Sequence, residues 1–339
     1  VRPLTLKRLL WTCGALAVML LACVILALKL GAIPISVTDL VLNLGRIVIG
    51  RSDQLPTEYR LIIFELRMPR ILLGVLVGAS LSVSGASFQA LLRNPLADPF
   101  VLGVSSGAAL GSLLALAIAP ELPLITPLGA FLGALATIAA VYFLGRRDGQ
   151  LESATLLLGG IISASFLSAM IMFLVTTLSG RDLRGIVFWL MGDLSTPVPT
   201  SLRWILAFGL LAGIGAIYTT AADLNLLLTG EREAIHLGVD VTRVKLVVYV
   251  SASLLTALAV SASGAIGYVG LLVPHAVRLV FGSDYRLLIP ASALCGAIAI
   301  VLADTLARTV AAPTELPVGA MTAMAGAPIF IYLLRRGMR

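Results

Sequence analysis

Charge is scarce in this sequence. Lys, Arg, Asp and Glu make up 12% of the 339 residues and 59% are hydrophobic, whereas a soluble domain carries about a quarter charged residues. A chain so poor in charge cannot clothe a water-facing surface, which makes it an integral membrane protein. Cysteine is scarce too. Cys13, Cys23 and Cys295 lie far apart inside apolar runs, which excludes a disulfide framework and leaves them as small core residues. The two histidines, His236 and His275, have no companions at ligand spacing, so no metal site is expected. Gly103-Val104-Ser105-Ser106-Gly107 fits the G-x-S-x-G spacing of a nucleophile elbow. That chemistry needs a strand-to-helix turn, a histidine base and an acidic orienter. Here the five residues open an apolar run, which makes them a small-residue packing motif. No G-x-x-x-x-G-K-[ST] loop occurs, so the chain does not cradle ATP phosphates through a P-loop. The net charge of +7 is no nucleic-acid signal, because the basic residues flank apolar runs as membrane topology requires.

What is abundant is apolar sequence in lengths that suit a bilayer, about 20 residues per helix. Runs at 9–28, 71–92, 100–119, 124–144, 154–178, 202–222, 246–263, 266–281, 287–310 and 318–334 predict about ten spans. The eighth is the shortest and is interrupted by Pro274. The first follows Arg2, Lys7 and Arg8 and is too long for a signal-peptide core, so it is expected to remain as a span. An even count puts both ends on one side. The basic residues at each end (Arg335, Arg336 and Arg339 at the second) place that side in the cytoplasm.

Two segments depart from this pattern. Between the first two spans lie Arg46, Arg51, Arg60, Arg67 and Arg70, partly balanced by Asp39, Asp53, Glu58 and Glu65. They fall on the side where the positive-inside rule does not want them. Alternating apolar and polar positions suggest a short surface helix before Pro69. Docking of an acidic partner and contact with lipid headgroups both account for the arginines. The second segment is 223–245, where the apolar pattern stops. Thr229 or Gly230 can cap a helix whose first turn carries Glu231 and Glu233, acids that suit the positive end of its dipole. Ala234, Ile235, Leu237 and Val239 give it an apolar side, and Gly238 is a natural stop. This predicts a short extramembrane helix able to receive a soluble partner; a solvated loop is the plainer alternative.

Glycines such as Gly74, Gly78, Gly85, Gly107 and Gly111 recur within the spans and suit close helix packing. The turn Arg93-Asn94-Pro95-Leu96-Ala97-Asp98-Pro99 and the stretch 264–274 break helical regularity, as transporter helices do near a pathway or at tight connections. An ion-driven carrier would show acids in mid-membrane. Asp98, Asp193 and Asp304 all lie close to predicted helix ends, which weakens that alternative.

Three stretches together carry a resemblance: 67–111 (beginning RMPRILLGVLVGASLSVSGASFQALLRNPLADPF), 264–279 (GAIGYVGLLVPHAVRL) and 315–330 (ELPVGAMTAMAGAPIF). In order and spacing they resemble the permease subunit of the ATP-driven importers for iron chelates, haem and vitamin B12. The resemblance covers almost the whole chain; only the first span and 30–66 lie outside it. It implies an all-α integral membrane protein, one permease domain over 1–339 with ten helices. Helices two to five and seven to ten would be related by inverted pseudo-symmetry. It also implies a homodimer in the inner membrane, two separate ATP-binding subunits that hold ATP and Mg, a periplasmic or extracellular substrate-binding protein, and no cofactor or catalysis in this chain. By the same resemblance Gly230, Glu231, Arg232, Glu233, Ala234, Leu237 and Gly238 form the ATPase-coupling segment. Arg67, Arg70 and Arg308 would dock the binding protein. Ser153 and Ala154 would form the cytoplasmic gate, where alanine at the second position removes a hydroxyl and leaves closure to side-chain bulk. The alternative in a different class is an ion-coupled secondary carrier without ATPase partners.

Overall fold

The structure, a computed structural model, describes residues 4–337 apart from residues 32, 34, 37, 40–41, 44–45, 47–55, 120, 123, 148–149, 178–187 and 197. Arg51 and Asp53 lie outside the described residues. Ten apolar helices are present among the described residues, seven of them long enough to span a membrane and three shorter. They are α1 (Leu6–Lys29), α2 (Thr57–Leu91), α3 (Val104–Ile118), α4 (Ile125–Gly145), α5 (Ser153–Thr177) and α6 (Thr200–Thr219). Two short helices, α7 (Ala221–Leu227) and α8 (Glu231–His236), precede α9 (Val241–Ser263), α10 (Val269–Phe281), α11 (Tyr285–Thr309) and α12 (Val318–Gly337). Each expected span is met by one of these ten. A two-residue antiparallel ladder, β1 (Arg146–Arg147) with β2 (Gln150–Leu151), closes the turn between α4 and α5.

Within the segment expected to hold a surface helix before Pro69, the described residues 38–39, 42–43 and 46 are helical. Residues 57–67 are helical and run straight into the second span through a π-helical turn, Leu61–Arg67. Met68 N–H reaches back to Ile63 O across that wider turn. The chain thus arrives at Pro69, which has no N–H to give, without losing the helix.

Burial sorts the helices into two shells. The most apolar windows of α2, α9 and α11 are 83%, 72% and 61% buried, against 6% for α1 and 11% for α5. The inner helices meet backbone to backbone. At the α2–α11 crossing, a Cβ on Gly78 would strike Gly296 O and a Cβ on Gly296 would strike Gly78 O. The α3–α4 pair interlocks in the same way, Gly107 and Gly111 against Gly133 and Gly129. Lipid gives no hydrophobic push between helices, so this close approach supplies the dispersion contacts that hold the bundle. Gly107 faces Thr137 and Gly133, so the G-x-S-x-G match is a packing motif. Ser84 Oγ donates to Ala252 O at 2.9 Å and joins α2 to α9.

The two quartets α2–α5 and α9–α12 share one order, in which the second helix is short. α3 has 15 residues and follows the turn 92–98, and α10 has 13 and follows 264–268. The bundle has a near side, on which α1 begins, and a far side, on which α1 ends.

Candidate functional site

On the near side the chain leaves the bundle after α6 and forms α7 and α8. Asn225 on α7 fastens this excursion to the bundle. Its Nδ2 donates to Asp284 Oδ1 at 2.9 Å, and its Oδ1 accepts Tyr285 N–H at 2.9 Å. Asp284 caps α11 by accepting Arg286 N–H at 3.0 Å. The bond from the Arg286 side chain holds the Asp284 carboxyl below the usual carboxylate range, against the opposing effect of burial, and the Asn225 bond adds to it. A depressed folded value means that the stabilisation is present above the unfolded pKa and lost only as pH falls through the folded one. This anchor therefore persists throughout the neutral range.

α8 is the helix that the 223–245 pattern predicts. Gly230 stands at its N-terminus with φ 143°, a backbone conformation that residues with side chains rarely adopt, and the Glu233 carboxylate folds back against it. Gly238, with φ 87°, follows its end. Ala234 is buried, while Arg232, Glu233, Ile235, His236 and Leu237 face outward. Ile235 and Leu237 are 58% and 63% exposed.

Glu231 behaves differently from Glu233. Its Oε1 accepts Lys245 Nζ at 2.7 Å and lies 3.5 Å from Arg93 Nη2. Lys245, on the second turn of α9 and buried, also donates to Leu151 O at 3.1 Å. Two residues beyond Leu151, Ser153 Oγ donates to Leu91 O at 3.0 Å. Leu91 ends α2, and Arg93 follows it with φ 48°, a left-handed conformation uncommon for a residue with a side chain. The contacts thus close a ring through α8, α9, the ladder, the start of α5 and the end of α2. Of the two expected gate residues, Ser153 is turned into its own chain and Ala154 is exposed.

On the far side the structure brings Arg67, Arg70 and Arg308 together, with each guanidinium already engaged. Arg67, 7% exposed, donates to Leu28 O, Lys29 O and Ile33 O and so holds the end of α1. Arg70 bridges Asp304 (Nε–Oδ1 2.8 Å) and Glu315 (Nη1–Oε2 2.7 Å). Arg308 reaches Asp304 Oδ2 at 3.0 Å and Ala27 O at 3.3 Å. Asp304 is 2% exposed, whereas the Glu315 side chain is 47% exposed. A cavity of about 290 Å³, lined by the three arginines, Glu315 and six neighbours, lies beside the cluster.

Comparison with known proteins follows the same outline. The profile of the FecCD transport family matches residues 19–336. The chain belongs to the FecCD transport family. It is 46% identical over 280 residues to the cobalamin import system permease protein BtuC of Halobacterium salinarum, covering 83% of this chain and 75% of that one. It is 41% identical over 278 residues to the hemin transport system permease protein HmuU of Yersinia pestis, covering 80% and 82%. A solved metal-chelate type ABC transporter in an inward-facing conformation superposes with a TM-score of 0.81 at 31% identity, covering 96% of this chain and 99% of that one. The chain is thus a permease subunit of the ABC importer class, all-α and membrane-spanning.

In this FecCD permease the far-side cluster contains two acids whose part in it the sequence did not reveal. Asp304 looks like a helix-end acid and Glu315 like a connecting residue. A charge inside an apolar run must find a partner or water, and Asp304 with Arg308 at i,i+4 was the available signal. Lys245 carried a similar signal, a cation at the start of a span.

Proposed function

We propose that this permease works as one half of a homodimer in the inner membrane, with the near side and both termini in the cytoplasm. Two separate ATP-binding subunits hold ATP and Mg and dock on α8. A binding protein delivers an iron chelate, haem or cobalamin to the far side, and the pathway between the copies opens alternately to either face. The observation that carries this reading is α8, a short extramembrane helix that, with the residue after it, presents two exposed apolar side chains, Ile235 and Leu237. The pairing of Asp304 with two arginines also supports it, since it leaves that acid no role as a free ion carrier. Nucleotide moves the equilibrium only through its different affinity for the two conformations.

The direct test reconstitutes the chain in vesicles with its ATP-binding subunits and binding protein, then measures uptake of ferric siderophore, haem and cobalamin. Uptake of one of them is expected only with ATP, and the chain alone should hydrolyse none. Uptake driven by an ion gradient without ATP would make the protein a secondary carrier.

The gate residues separate by exposure. Ala154 faces outward, so Ala154→Cys is expected to cross-link between copies in the closed state more readily than Ser153→Cys. Equal or reversed yields in every nucleotide state would place the closure elsewhere.

Docking through Arg67, Arg70 and Arg308 requires the partner's carboxylates to compete with acids of the permease itself. Glu315 is the accessible one. Glu315→Gln is therefore expected to raise the affinity of the complex for its binding protein by about twofold to fivefold, the equivalent of about 0.4–1 kcal/mol for one exposed pair. The gain should shrink as salt is added. Unchanged or weaker binding, measured by surface capture of reconstituted complex, would argue that the arginines serve the fold alone.

A further inference from the structure

We propose that Lys245 is a positioning residue that transmits the movement of α8 to the start of α5, and so links the ATPase-coupling helix to the gate. This role rests on the coupling function of α8 and the gate at the start of α5 proposed for this permease. Its ground is the placement of one ammonium group. Lys245 is 7% exposed, and its two described partners lie on different elements, Glu231 Oε1 on α8 at 2.7 Å and Leu151 O on β2 at 3.1 Å. A lysine serving only its own helix would reach a neighbouring turn or water. This one stands between a helix that faces outward and the strand that leads, two residues later, into Ser153.

The physical consequence is a stiff link. The ammonium, whose side chain is 9% exposed, loses a partner at a cost because little water reaches it, although the Glu231 side chain is 34% exposed. The pair Glu231–Lys245 is charge-assisted and short, so displacement of α8 draws the lysine along. The Leu151 carbonyl then follows, or loses its donor in a place where an unmet carbonyl is costly. The ring closes through Ser153 Oγ on Leu91 O and Arg93 on Glu231, so the end of α2 is drawn into the same motion. The coupling thus has a bonded path with named atoms, where spatial proximity alone would carry no weight.

The experiment uses the full complex in vesicles, with Ala154→Cys as a reporter of gate exposure and a membrane-impermeant maleimide as the probe. The labelling rate is compared between nucleotide-free complex and complex trapped with ATP and vanadate. In the Ala154→Cys parent the rate is expected to change several-fold on trapping. Adding Lys245→Met, similar in length but without charge, should leave ATP-binding subunits bound and ATP hydrolysed, yet abolish the change. Lys245→Arg should restore it in part. The exchange Glu231→Lys with Lys245→Glu rebuilds the ion pair but sets a carboxylate against Leu151 O and a lysine against Arg93, so the response should stay lost.

A response in Lys245→Met equal to the parent's overturns the proposal while leaving the coupling reading intact. Loss of the ATP-binding subunits from Lys245→Met also overturns it, since the lysine then serves docking and not transmission. A full response in the exchanged pair means that the Leu151 bond is irrelevant, with the same result. Should the Lys245→Met permease itself fail to fold and insert, Glu231→Gln is the second variant; it keeps the lysine on Leu151 and weakens only the α8 side. A reduced response there supports the link, and an unreduced one overturns it. If the parent itself shows no change on trapping, the gate reading fails and this proposal with it.

Discussion

Asp304→Ala is expected to destabilise the folded permease by about 3–5 kcal/mol, the usual result of removing one partner from a buried ion pair. Asp304 is 2% exposed and lies between two guanidinium groups, at 2.8 Å from Arg70 Nε and 3.0 Å from Arg308 Nε. The side chains of those arginines are only 10% and 7% exposed. Without the acid, two largely buried cations remain close to the buried Arg67, and Glu315 reaches only one of them. Three elements converge here, because Arg70 is on α2, Arg308 and Asp304 are on α11, and Ala27 O at the end of α1 accepts from Arg308. The damage should therefore appear as loosening of the whole far side. Asp304→Asn keeps the shape and one acceptor and should lie between the parent and alanine. The control is Asp304→Ala combined with Arg308→Met, which removes one stranded charge and should recover part of the loss, as coupled sites do in a double-mutant cycle. Denaturant unfolding in detergent micelles, followed by tryptophan fluorescence, measures all four. A single Asp304→Ala variant as stable as its parent would mean that water enters this cluster freely.

The same cluster marks where the sequence stopped being legible. Helix existence was readable almost throughout because lipid makes one demand, a run of apolar residues long enough to pair its own backbone. Each of the ten expected spans accordingly meets a helix, and 229–238 carried its own punctuation in Gly230, Glu231 and Gly238. Side-chain pairing has no such local rule. Arg70 and Asp304 are 234 residues apart in sequence, and only the fold says that they touch. Arg67 looks like a twin of Arg70, three residues on, yet it turns toward the carbonyls at the end of α1. The π-helical turn that ends at Arg67 is equally silent, since nothing in Leu61–Arg67 distinguishes it from an α-helical pattern. Glu231 and Glu233 look like equals in the first turn of one helix. The structure gives one to a buried lysine and leaves the other facing outward.

That division between Glu231 and Glu233 decides how the outward face of α8 is best probed. Reversing both charges would set a lysine at 231 against Lys245 and Arg93, disturbing the interior as well as the surface. Ile235→Asp together with Leu237→Asp touches only the outward side, because these residues are 58% and 63% exposed while Ala234 between them and the bundle is buried. If α8 fits an apolar cleft on an ATP-binding subunit, both side chains become central contacts there. Such residues contribute about 2 kcal/mol or more each when truncated, about a 30-fold loss of affinity per residue. A carboxylate buried in the cleft without a partner would add to that. The expected outcome is a permease that inserts and unfolds like its parent, yet no longer retains the ATP-binding subunits through purification and supports no ATP-driven uptake in vesicles. Glu233→Lys, a change at the polar edge of the same face, should have a smaller effect that weakens with salt. Retention of the subunits by the double aspartate variant, with uptake at the parental rate, would remove α8 from the coupling interface and return it to the status of a solvated connection between α7 and α9.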